Sequence, residues 1–148
     1  MSRMSPVALA ALSLFCLAPL RGEAKPFNLS GTWSYSTQGS WKKGPCPTGG
    51  EAKGELKITQ KGETLTLVFV SGRTCRPASV CTFKGKVTGD RATFANSTKV
   101  DNEGGTVSNE IVLDKLSNKA AEGKSSSAYR HPGGMSCTWG SKIRLTRK

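Results

Sequence analysis

The chain reads as an all-β protein, an eight-stranded antiparallel up-and-down β-barrel, on three observations. Apolar and polar residues alternate with period two again and again after residue 24. No stretch carries a convincing helical period. The alternating runs are joined mostly by short turns that contain glycine. A two-sheet sandwich would use the same strands, but closure into a barrel removes the edges that an open eight-strand sheet would expose.

Residues 1–24 are set apart as a signal peptide. Arg3 supplies a positive start, Val7 to Leu20 is a largely apolar core, and Gly22-Glu23-Ala24 places small residues at the cleavage positions, so cleavage is expected after Ala24. The apolar run falls short of the roughly 17–25 residues of a spanning helix. Cys16 follows the bulky Phe15, which does not suit a lipoprotein site. Residues 25–148 are then one domain, long enough for a single modest core, in a secreted or periplasmic protein.

The first strand is expected over 30–35, followed by a long irregular segment through "GPCPTGG", whose prolines and glycines forbid regular structure. The second, 55–60, turns at Lys61-Gly62 into the third, 64–71, where "TLTLVFV" puts Leu65, Leu67 and Phe69 on one face. The fourth, 80–87, turns at Gly89-Asp90 into the fifth, 91–98. The sixth, 107–113, follows Gly104-Gly105, and a weaker seventh, 124–130, precedes Pro132-Gly133-Gly134. The last, 136–146, carries Cys137, Trp139, Ile143 and Leu145 on one face. The inward set comprises Trp33, Tyr35, Leu56, Ile58, Leu65, Leu67, Phe69, Phe83, Val87, Phe94, Ile111, Leu113, Trp139, Ile143 and Leu145. A barrel of eight strands is filled by such side chains or holds one small ligand. Gln60, Asn109 and Ser141 are the inward polar positions that would orient one.

Removing the leader also removes Cys16 and leaves Cys46, Cys75, Cys81 and Cys137. An even number in an exported chain reads as two disulfides, with three pairings open. Cys75 with Cys81, and Cys46 with Cys137, is the preferred arrangement. Four-cysteine zinc binding needs close CxxC pairs, which this spacing lacks, so no metal is expected.

"LSGTWSY" at the start, a run of hairpins, and a final strand ending "IRLTR" resemble the calycin superfamily of lipocalins, fatty-acid-binding proteins and avidins. The resemblance implies that Trp33 packs at the closed end of the barrel and that an arginine of the last strand, Arg144 or Arg147, lies across it. Arg147 shares the inward phase of Ile143 and Leu145. The chain lacks further lipocalin signatures and the ligand-binding aromatics of avidins, so the resemblance carries architecture and no ligand.

Catalysis is not expected. The one histidine, His131, sits in a turn, and no HExxH, GxSxG, Walker loop or GxGxxG is present. Glu110 and Asp114 share the outward face of the sixth strand and read as solvated. No cofactor is implied. With 22 Lys and Arg against 10 Asp and Glu, the chain carries a net charge of +12. Loss of Arg3, Arg21 and Glu23 with the leader leaves 20 against 9. Such a surface favours anionic partners, although Lys57, Lys84, Lys86, Lys142 and Arg144 spread around the outside. Trp41-Lys42-Lys43, expected in the long first loop, is the best candidate for partner contact. Two sequons, at Asn28 and Asn96, are acceptors where the host glycosylates exported proteins. The expected function is recognition of a small ligand at the barrel mouth, by a monomer. The alternative is an interaction or inhibitor protein that binds a protein or an anionic envelope partner through its loops and basic surface.

Overall fold

The computed structural model describes residues 25–46 and 50–148; the expected leader, 1–24, lies outside them. Eight strands follow in chain order: β1 (Gly31–Lys43), β2 (Lys53–Lys61), β3 (Thr64–Phe69), β4 (Thr82–Thr88), β5 (Arg91–Lys99), β6 (Thr106–Leu116), β7 (Ala120–Arg130) and β8 (Ser136–Arg147). Each pairs antiparallel with the next, and β8 returns to β1 to close the barrel. Among the described residues no helix is long and apolar enough to cross a membrane.

Several strand limits differ from the sequence expectation, among them β2, which starts at Lys53, and β6, which runs to Leu116. β1 runs on to Lys43 because β8 supplies its partners: Ser36 to Gln38 pair with Arg144 to Lys142, and after a bulge Trp41 to Lys43 pair with Gly140 to Thr138. Residues 36–43 are polar on both faces except Trp41, so period two is invisible there. β7 likewise starts at Ala120, since its inward residues Ala121, Gly123, Ser125 and Ser127 are too small to announce a face. β3 stops at Phe69, and β4 starts only at Thr82, because residues 78–81 form a turn of 3-10 helix.

The register sorts the connections into two ends. The β2–β3, β4–β5 and β6–β7 turns lie with the start of β1 and the finish of β8 at one end. The β1–β2, β3–β4, β5–β6 and β7–β8 connections gather at the other. From the first end to the middle, the barrel is solid: Trp33, Leu56, Leu65, Leu67, Phe83, Leu113 and Leu145 are fully buried. Each such side chain contributes about 1.5–3 kcal/mol relative to exposure. Leu29, just before β1, joins them.

That end is shut by a plug. The Trp33 indole donates to the Leu29 carbonyl at 2.9 Å, and the Arg147 guanidinium stacks 4.3 Å from the Trp33 ring. The same guanidinium donates from Nε to the carbonyl of Asn118, from Nη1 to Ser30 and from Nη2 to Asn28, at 2.5–2.7 Å. One planar side chain therefore ties the N-terminal segment, the β6–β7 turn and β8 together. Arg144 takes no part: it points outward and pairs with Glu122 at 2.7 Å.

Candidate functional site

The open end is built from loops that brace one another. Cys46 bonds to Cys137, fastening the segment after β1 to β8, and Cys75 bonds to Cys81, closing the loop between β3 and β4. Among the described residues all four cysteine sulfurs are so used. Between β5 and β6, Asp101 accepts hydrogen bonds from the amides of Gly105 and Glu103 and from the Tyr129 hydroxyl at 2.9 Å. These bonds hold its carboxyl below the ordinary value of 3.8, the Gly105 amide contributing most. His131 accepts from the Gly133 amide at Nδ1, so Nε2 carries the proton toward Glu103, 3.1 Å away.

One side of the mouth is covered. Asn96 donates through Nδ2 to the carbonyls of Ser79, Val80 and Thr82, at 3.0–3.1 Å, which draws the 3-10 turn over β4 and β5. Its oxygen accepts from Asn109, whose own oxygen accepts from Ser127 at 2.6 Å. Asn109 is thus braced between Asn96 and Ser127. The Asn96 sequon nitrogen is occupied structurally, whereas Asn28 is exposed.

The other side stays open. A cavity of about 200 Å³ enters between β1, β7 and β8 on one side and the segment before β2 and the turn after β3 on the other, lined by Tyr35, Thr37, Trp41, Phe69, Arg73, Ser125, Ser127, Trp139, Ser141 and Ile143 among others. Its floor is aromatic: Tyr35 meets Phe69 edge to face at 4.9 Å, and Phe69 meets Phe83 at 5.7 Å. Arg73 lies over this floor, its guanidinium carbon 4.9 Å from the Phe69 centroid and 6.0 Å from that of Phe83. Gly72, with φ of +78°, makes the bend that brings it there; a Cβ at Gly72 would stand 2.1 Å from the Lys53 carbonyl oxygen. Burial lowers the pKa of Arg73, with Tyr35 opposing, and raises that of Tyr35, with the Arg73 charge opposing.

The hydroxyls around the cavity divide into two kinds. Tyr35 donates to the Ser71 carbonyl at 3.2 Å, Thr37 bonds the amide and carbonyl of Ala52, and Ser127 is held by Asn109. Ser40, Ser125 and Ser141 make no side-chain hydrogen bond among the described residues, and all three line the cavity. Trp139 is half-buried at the rim instead of packed in the core, and borders a second, more apolar depression of about 330 Å³ with Val107, Tyr129 and Met135.

The expected site residues are therefore scattered. Ser141 lines the mouth and Asn109 supports it. Gln60 lies at the opposite end, where its side chain accepts from the Leu29 amide at 2.7 Å and donates to the Gly62 carbonyl, because β2 runs away from the mouth. Trp41, Lys42 and Lys43 are not in a loop but finish β1; the Trp41 ring lies against Gly140, 47% exposed, and lines the rim of the same cavity as Ser141. Arg73 escaped sequence reasoning because the "VSGRTC" turn looks like solvent. The available signal was its place just past the inward Phe69 and two residues before a bridged cysteine. Among the described residues no three His, Cys, Asp or Glu side chains converge as metal ligands would. No model of a known family, no curated protein and no solved structure matches the chain, so the geometry stands alone.

Proposed function

We propose that the protein is an exported, non-catalytic binding protein of calycin type that takes a small ligand into the open end of its barrel. The observation that carries this reading is the one-sided mouth: a cavity of about 200 Å³ above a solid core, in which three serine hydroxyls and the Arg73 guanidinium make no side-chain hydrogen bond among the described residues. Ligand sites are concave, mostly apolar and furnished with a few convergent polar groups. The plug of Trp33 beneath Arg147 supports the calycin reading, and the two disulfides support an oxidising compartment. Native mass spectrometry of the protein recovered after export tests the proposal. A co-purifying small molecule, released when Ser141→Trp fills the mouth, is the expected result.

The second reading, an interaction protein, draws on Trp41, which is half-exposed at the rim of the cavity with Lys42 and Lys43 beside it. It predicts a bare mass, with capture of a protein or polyanion that Lys42→Glu with Lys43→Glu abolishes and Ser141→Trp leaves intact.

A further inference from the structure

We infer that the mouth selects a small organic anion with a flat apolar body, and that Arg73 is the residue that binds its charge. The inference rests on the mouth being the ligand site. Among the described residues, no ion pair and no side-chain hydrogen bond engages the Arg73 guanidinium, and no carboxylate lines the cavity. An arginine partly withdrawn from water without a counter-charge is costly to keep. Here the guanidinium is held over the Phe69 ring, with Phe83 beyond it, and its N–H groups are left for a partner. A planar fork of donors matches a carboxylate or similar oxyanion in two parallel hydrogen bonds. Ser125 and Ser141 can donate to the same oxygens from the facing strands, while Trp139, Phe69 and Ile143 offer apolar contact to the remainder of the ligand. The net charge of +12 draws anions toward any entrance on this surface.

Calorimetric titration with benzoate and with its neutral isostere benzamide tests this. Benzoate is expected to bind about tenfold or more tightly than benzamide, the worth of a charge-assisted hydrogen bond. Arg73→Gln should bring benzoate down to the benzamide level without changing benzamide, and Arg73→Lys should fall between, since it keeps the charge and loses the fork. Unchanged near-ultraviolet circular dichroism confirms that each variant is folded. Ser141→Trp should abolish binding of both. Equal binding of the two probes, unaffected by Arg73→Gln but lost in Ser141→Trp, overturns the anion inference and leaves the mouth reading standing. No binding of either at millimolar concentration, or binding that Ser141→Trp does not disturb, overturns both.

Discussion

Two arginines three positions apart on β8 show how much a residue's role depends on what it can reach. Arg147 satisfies three backbone carbonyls from two segments and covers an indole; Arg144 meets one exposed carboxylate. Replacing Arg147 with Lys keeps the charge but removes the directed donors, and should cost about 2 kcal/mol in urea unfolding. Arg144→Gln should stay within about 0.5 kcal/mol, as exposed pairs do. Equal losses would sink the assignment of Arg147 as the closing residue. Asp101 gives a second test at this scale. Its folded pKa lies below the ordinary 3.8, so the stability it contributes is present above that value and disappears as the pH falls through the lower folded value. A carbon-13 titration of its carboxyl should give a midpoint below 3.8, and Tyr129→Phe should move it upward by removing one donor. A midpoint unmoved by that change would remove Tyr129 as a brace of the β5–β6 connection.

The element that matters most for the mouth is the turn leaving β3. Val70 and Ser71 both donate to the Glu55 carbonyl, at 2.8 and 3.2 Å, and Gly72 then passes so close to Lys53 that no side chain fits. Gly72→Ala adds a left-handed strain of about 1–3 kcal/mol and a backbone clash. It should lower the thermal midpoint and also weaken benzoate binding, by displacing Arg73 from its aromatic floor; lost stability with intact binding would separate the turn from the site. Such elements explain what sequence reading could reach. Strands such as β2 and β3 were legible because Leu56, Ile58, Leu65 and Leu67 alternate with polar partners that face water. The second half of β1, the start of β7 and Arg73 were not, because tertiary partners place them: β8 extends β1, the bulge opposite Leu113 admits Gly123, and a glycine bend turns a loop arginine inward. Trp41 misled for the same reason, since an aromatic after a polar run looks like loop until β8 is there to pair with it.

At the scale of the whole molecule, the barrel is closed twice, by hydrogen bonding between β1 and β8 and covalently by the bridge from Cys46 to Cys137. The two disulfides constrain the unfolded chain very differently, since one joins residues 91 apart and the other residues 6 apart. On loop-closure entropy the long bridge is worth about 4.5 kcal/mol and the short one about 2 kcal/mol. Replacing Cys46 and Cys137 together by Ala should therefore destabilise the protein roughly twice as much as replacing Cys75 and Cys81, measured as the shift in the denaturant midpoint at constant slope. The binding consequence should run the other way. The Cys75–Cys81 loop begins two residues after Arg73, so its loss should loosen the anion site while costing the smaller share of stability, whereas the long bridge borders the apolar depression on the far side of Trp139. If removing the short bridge left benzoate affinity unchanged, the loop would not be what holds Arg73 over Phe69, and Gly72 alone would have to position it.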